Sequence, residues 1–273
     1  IGVRLVGSEM CIRDRYGGHA LPDQIEMDPI LEAIGDANID GDQVILVHGG
    51  GPQIDSALKE KGIGKERVAG YRVTTPEVLE VVQTVLCGVV QRSIVNYLLA
   101  SEVNAVGLTA GDGGLIRAKK LLVSVDNKEV DIGLVGEVAE VNADVLRTLL
   151  EFGFLPVISP LANDDQGNVL NINADLVAGA IGGALQADQV VFLTDVDGIF
   201  SDWPNKESLI EEISVPELIK LLPSLSEGMI PKVTAVLNAV NSGARSARIV
   251  NGTKLKSVLD AFAGIGGTVV FAA

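Results

Sequence analysis

The sequence predicts an α/β protein with an open, mostly parallel sheet sandwiched by helices. Three observations carry this. Short apolar runs alternate with helical stretches along nearly the whole chain. Hydrophobic residues make up 47% and aromatics only 4%, so the core must be built from Val, Ile, Leu and Ala, the palette of buried parallel strands. Glycine clusters stand where several strands end, the place where open α/β sheets bind ligands. At 273 residues the chain can hold one large domain or two lobes sharing a sheet.

The elements follow in order. Residues 28–39 read as a helix with Pro29 in its first turn. Residues 43–47 (QVILV) are a buried strand that runs into Gly49-Gly50-Gly51, and 52–61 form a helix opened by Pro52. Residues 75–101 carry a long helical pattern with Leu79, Val82, Leu86 and Val90 on one face. A strand at 105–109 ends in AGDGG. From 115 to 138 the period changes to two, split by DNKE at 126–129, which predicts a β-hairpin or a pair of them. Asn142 is expected to cap a helix to 151, ended by Gly153. A strand at 155–158, a turn at 163–168 and a small-residue helix at 175–185 come next. Strand 189–194 (QVVFLT) ends in DVDG. Helices at 215–222 and 230–242, a strand at 247–250, a helix at 254–262 and a strand at 268–271 complete the chain.

Charge and cysteine content narrow the function. The net charge is 21 − 36 = −15, which argues against nucleic-acid or anionic-membrane partners. Cys11 and Cys87 are too few for a disulfide framework, and nothing resembles a zinc site. No unbroken apolar run approaches the ~20 residues of a membrane span. A cytoplasmic protein is expected.

The glycine clusters are Gly17-Gly18, Gly49-Gly50-Gly51 and 111–114. Any one of them can be plain turn geometry. Three in one α/β protein favour phosphate binding, in which backbone amides approach closely and a helix N-terminus adds its dipole. GxxxxGK[ST], a GxGxxG strand-to-helix turn and the protein-kinase set are all missing. Asn171-Ile172-Asn173-Ala174-Asp175 serves equally as a capping stretch or as a polar grip at a helix start. Lys232 stands just inside a helix N-terminus, disfavoured by the dipole unless it faces phosphate, with a solvated surface lysine as the alternative. Arg72 is one arginine in an apolar, glycine-flanked loop, suited to a carboxylate but also to plain surface exposure. His19 and His48 lack a nucleophile motif beside them and read as structural.

Taken together, YGG, HGGGPQID, GYRVT, GDGG, NINAD, LTDVDGI and GMIPKV appear in the order found in acetylglutamate kinases of the amino acid kinase fold. The chain resembles that family from about Tyr16 to its C-terminus. The resemblance implies ATP-dependent phosphorylation of the γ-carboxylate of N-acetyl-L-glutamate, the second step of arginine biosynthesis. It implies that Gly17, Gly18, Gly50 and Gly51 offer amides to the transferring phosphoryl group. Arg72, Asn171 and Asn173 would hold N-acetylglutamate, and Asp175 would orient the active-site lysines. Lys232 would stabilise the ATP side, with Thr194 and Asp195 lining the nucleotide site. It also implies an acetylglutamate lobe at 16–186 and an ATP lobe at 187–273 sharing the central sheet. Mg²⁺ is expected on the ATP phosphates rather than in a protein metal site. A γ-carboxylate with pKa ~4.3 is already ionised at neutral pH, so no general base is required.

Two features depart from the pattern. Residues 1–15 carry Arg4, Glu9, Arg13 and Asp14 and make a poor buried strand, and VGSEMCIRD resembles translated adapter sequence. A frayed strand, or a segment outside the sheet, is expected there. Arg15 occupies the position where the family has a phosphate-facing lysine, which is not a conservative exchange. Arginine-inhibited family members resemble one another in an added N-terminal helix; none is visible, and an arginine-insensitive homodimer is expected. The nearest rival is an aminoadipate-pathway kinase, whose substrate loop should be more basic than VAGYRVTTPEV. A ligand-binding homologue impaired by Arg15 is the rival outside catalysis.

Overall fold

The computed structural model describes residues 8–13, 28–125, 128–225 and 229–272. In chain order its elements are β1 (Ser8–Arg13), α1 (Pro29–Ile39), β2 (Gln43–His48), α2 (Gly51–Glu60), β3 (Arg67–Val68), β4 (Tyr71–Arg72), α3 (Pro76–Gln83) and α4 (Gln91–Ala100). Next come β5 (Ala105–Thr109), β6 (Ile116–Val125), β7 (Lys128–Val141), α5 (Asp144–Glu151), β8 (Leu155–Ser159), β9 (Leu161–Asn163), β10 (Val169–Asn171) and α6 (Ala174–Leu185). The remainder is β11 (Gln189–Thr194), β12 (Ile199–Phe200), β13 (Leu209–Ile210), β14 (Glu212–Ser214), α7 (Val215–Leu221), α8 (Ile230–Asn241), β15 (Ser246–Asn251), α9 (Leu255–Phe262) and β16 (Thr268–Phe271).

Eight strands form one sheet in the order β14-β16-β15-β11-β1-β2-β8-β5. It is parallel from β15 to β5; β16 runs antiparallel to β15, and β14 follows β16. Strand pleating sends alternate residues to opposite faces, and both faces are covered. Val44 and Leu46 of β2 pack with Leu31 of α1, Leu58 of α2, Val82 of α3 and Leu98 of α4. Ile45 and Val47 pack on the other side with Ile181 of α6 and Val236 of α8. Each such buried aliphatic side chain contributes roughly 1.5–3 kcal/mol. Strands β6 and β7 form a long hairpin that closes with β9 and β10 into a second, small barrel-like sheet.

The first strand corrects the sequence expectation. Ser8–Arg13 neither frays nor leaves the sheet: it lies at the centre, pairing residues 9–13 with β11 and 8–13 with β2. Backbone hydrogen bonding to two neighbours does not depend on side-chain polarity. Of the three consecutive charges at 13–15, Arg13 is the last residue of the strand, and Asp14 lies outside the described residues. Arg15, Gly17, Gly18, His19 and Gly228 lie outside the described residues.

Three smaller differences have local causes. Asn142 does not cap α5, whose N-cap is Ala143; its Oδ1 accepts instead from Asp144 N–H at 3.1 Å. The long helical pattern is interrupted by a π-helical segment, Thr84–Val90, between α3 and α4. By length and composition Pro76–Ala100 is long and apolar enough to cross a bilayer, although Gln91 and Arg92 break its apolar run. It packs into the core through Val82, Leu86, Val90 and Leu98.

Candidate active site

Parallel strands place all their carboxyl ends on one edge, and the connections bring three helix starts there. Helix α2 begins directly after β2, opening on Gly51-Pro52. Helices α6 and α8 each precede a parallel strand of the sheet, so their N-termini return to the same edge.

Two of these starts meet. Lys232, in the first turn of α8, places Nζ 3.5 Å from Oδ2 of Asp175, in the first turn of α6. Both side chains are largely buried, at 15% and 8% exposure, so the pair sits where charge is weakly screened. Glycine makes the approach possible. A Cβ on Gly179 would come within 2.8 Å of Ala235 O, and one on Gly183 within 2.3 Å of Ser242 Cβ. The small-residue composition of α6 is therefore what lets α8 lie against it.

Asn173 is the N-cap of α6: its Oδ1 accepts from Asp175 N–H at 2.8 Å and Leu176 N–H at 3.3 Å. The cap contributes ~1 kcal/mol and commits the carbonyl end of that side chain, leaving the Nδ2 end for a ligand. Asn171 ends β10, two residues away, and its Nδ2 donates to Thr74 Oγ1 at 3.4 Å.

Arg72, on β4, is buried, with Nη1 2.6 Å from Asp55 Oδ1 and Nη2 donating to Gly51 O at 3.5 Å. Asp55 belongs to α2, so the guanidinium is held against the helix that opens on the glycine loop. A guanidinium so held is aimed before any ligand arrives. Asp55 was not singled out from the sequence, although it closes the HGGGPQID string; nothing in its spacing points to Arg72, 17 residues on.

His48, the last residue of β2, is buried and donates from Nδ1 to Gly49 O at 2.9 Å, bracing the glycine loop. Its Nε2 has no hydrogen-bond partner among the described residues. Burial lowers its pKa from 6.5 to about 4, so the ring is neutral at physiological pH.

On the other half of the edge, Thr194 ends β11 and its Oγ1 accepts from Val196 N–H at 3.0 Å, while Asp195 is exposed. Asp197 then accepts from Asn251 Nδ2 at 2.9 Å and Lys254 Nζ at 2.6 Å, which holds its carboxyl below the usual range. This fastening of the loop after β11 to the end of β15 was not foreseen, because its partners lie 54 and 57 residues apart. Among the described residues no three His, Cys, Asp or Glu side chains gather as a metal site.

The amino acid kinase family matches residues 15–251. Acetylglutamate kinase from Corynebacterium jeikeium is 43% identical over 245 residues, covering 90% of this chain and 77% of that protein. Acetylglutamate kinase from Mycolicibacterium smegmatis is 45% identical over 238 residues, covering 87% of this chain and 81% of that protein. Among solved structures, smu.665 from Streptococcus mutans superposes with a TM-score of 0.77 at 24% identity, covering 97% of this chain and 99% of that one. N-acetylglutamate synthase from Neisseria gonorrhoeae gives 0.80 at 23% identity, covering 98% of this chain and 60% of that one. The structural likenesses speak to the fold. The sequence relatives do not favour an aminoadipate-pathway kinase. The chain belongs to the amino acid kinase family and, within it, to the acetylglutamate kinases.

Proposed function

We infer that the chain catalyses ATP-dependent phosphorylation of N-acetyl-L-glutamate, with the residues at the carboxyl edge of the sheet in the following roles. The observation that carries the reading is the buried Lys232–Asp175 pair, held where two helix N-termini converge on the edge that bears the glycine loop. Amides at Gly50 and Gly51, together with the start of α2, suit the transferring phosphoryl group. Arg72, fixed by Asp55, and Asn171 suit the two polar ends of the acylated amino acid, with Asn173 offering Nδ2. Thr194 and Asp195 suit the nucleotide side.

A γ-carboxylate oxygen attacks the terminal phosphorus of ATP, the bond from that phosphorus to the bridging oxygen breaks, and ADP leaves. The product is an acyl phosphate. No proton has to be removed, so the protein's contribution is positioning and charge stabilisation. Lys232 meets charge developing on the phosphoryl oxygens, and Asp175 keeps its ammonium in place. Mg²⁺ carried by the ATP phosphates would add further neutralisation. Arg15 would face the same phosphates. We assign residues 16–186 to acetylglutamate and 187–273 to ATP, in a cytoplasmic homodimer.

The test is a coupled ADP-release assay with N-acetyl-L-glutamate, L-glutamate and L-2-aminoadipate. N-acetyl-L-glutamate alone should stimulate turnover strongly. Equal stimulation by free glutamate overturns the substrate assignment.

A further inference from the structure

Thr74 lies two residues beyond Arg72 and is fully buried. Its backbone is pinned on β7 from both sides. Thr74 N–H donates to Ile132 O at 3.0 Å, and Leu134 N–H donates to Thr74 O at 2.7 Å. Between these two sits Gly133, with φ +82°, where a Cβ would stand 2.3 Å from Thr74 O. The two backbones are in contact where only glycine fits. From this anchor the Thr74 hydroxyl joins two elements of the acetylglutamate pocket. It donates to Arg72 O at 3.0 Å and accepts from Asn171 Nδ2 at 3.4 Å.

The direction of these bonds follows from counting hydrogens. A hydroxyl has one hydrogen, and a carbonyl can only accept, so that hydrogen belongs to Arg72 O. Towards Asn171 the hydroxyl can then only accept. Asn171 must therefore turn its NH₂ group to Thr74 and its Oδ1 the other way. A side-chain amide is nearly symmetric in shape, and its neighbours decide which end faces which way. We propose that Thr74 is a positioning residue for substrate specificity: it holds Asn171 with Oδ1 outward, so that the pocket reads a hydrogen-bond donor, the N–H of an acylated α-amine. This rests on the assignment of Asn171 to the acetylglutamate pocket. The ester isostere 2-acetoxyglutarate keeps both carboxylates and the acetyl group but places an oxygen where the N–H would be. It meets Oδ1 lone pair to lone pair, which leaves a buried acceptor unpaired.

The experiment compares kcat and KM for N-acetyl-L-glutamate and 2-acetoxyglutarate in the unaltered chain and in Thr74→Val, Thr74→Ser and Asn171→Ala. The unaltered chain should favour the amide by ~10²-fold in kcat/KM. Thr74→Val, nearly isosteric, should raise the acetylglutamate KM, leave the ATP KM in place and shrink the amide-to-ester ratio ~10-fold. Thr74→Ser, which restores the hydroxyl, should restore the ratio. If Thr74→Val does not fold, Thr74→Ala removes the same hydroxyl without its methyl and should give the same ratio. Should the ratio keep its full value without the hydroxyl while Asn171→Ala abolishes it, Thr74 does not set the amide and the proposal fails. It fails equally if Thr74→Ser loses the ratio as Thr74→Val does. Asn171→Ala leaving both KM and ratio unchanged would instead overturn the pocket assignment itself.

Discussion

Arg72 is buried and Lys232 largely so, yet the roles proposed above put them on opposite sides of the reaction. Lys232 faces Asp175 across two helix starts, whereas Arg72 is held by Asp55 beside the glycine loop. Replacing Lys232 by Ala should lower kcat by ~10²-fold or more, the scale for losing one transition-state charge contact. Arg72→Ala should act mainly on the acetylglutamate KM and spare that for ATP, as steady-state kinetics with each substrate varied would show. His48 gives a different readout. Its folded pKa of about 4 lies below the 6.5 of the exposed ring, so the unfolded chain takes up a proton that the folded chain refuses. The resulting stability is fully present above pH 6.5 and is lost as pH falls towards 4, in total ~3 kcal/mol. Thermal unfolding across that window should show a shallower pH slope for His48→Gln than for the unaltered chain; parallel slopes would remove His48 as the cause. At this scale Lys232 and Arg72 were legible as candidates because each breaks a local rule, a cation at a helix start or an arginine in an apolar loop, and Asp175 as the close of NINAD. Asp55 and Thr74 were not. Their chemistry comes from partners brought in by the fold, and Thr74 meets Asn171 across 97 positions.

Helices and strands were legible wherever apolar period and capping agreed. Asp28 accepts from Ile30 N–H and Leu31 N–H at the start of α1, and Pro29 occupies its first turn. Period-two alternation marked the β6–β7 hairpin. The short strands β9 and β10, on either side of the turn expected at 163–168, were missed, since three residues are too few for a period to show. The small residues of α6 were visible as composition, but their purpose emerges only with α8 beside them. Gly179→Ala would drive a Cβ against Ala235 O, a backbone atom that cannot rotate away. The two helices must then separate, at ~1–3 kcal/mol. The Lys232–Asp175 pair should loosen with them, so kcat should fall together with Tm. A lowered Tm with unchanged kcat would mean that helix spacing does not set the pair.

The whole molecule depends on a strand whose composition argued against it. Side-chain pattern is a guide to burial, but a six-residue gap between β2 and β11 is filled by backbone pairing, and Ser8–Arg13 supplies it. Ile12→Pro would remove an N–H from a strand paired on both sides and should abolish cooperative unfolding. Replacing Ser8 and Glu9 by Val should raise Tm, because β-branched residues have the higher strand propensity. Calorimetry of the three chains decides both points. The central place of β1 also shapes how the protein is made. Glu9 pairs with Val44 on one side and with Gln189 on the other, a separation of 189 − 9 = 180 positions. During synthesis β1 can join β2 early, but its other edge must wait for β11. Until then it presents a row of unpaired amides and carbonyls, which invites pairing with other nascent chains. Closing so long a loop makes late folding slow, so yield in the cell is governed by how well that open edge is shielded in the interval.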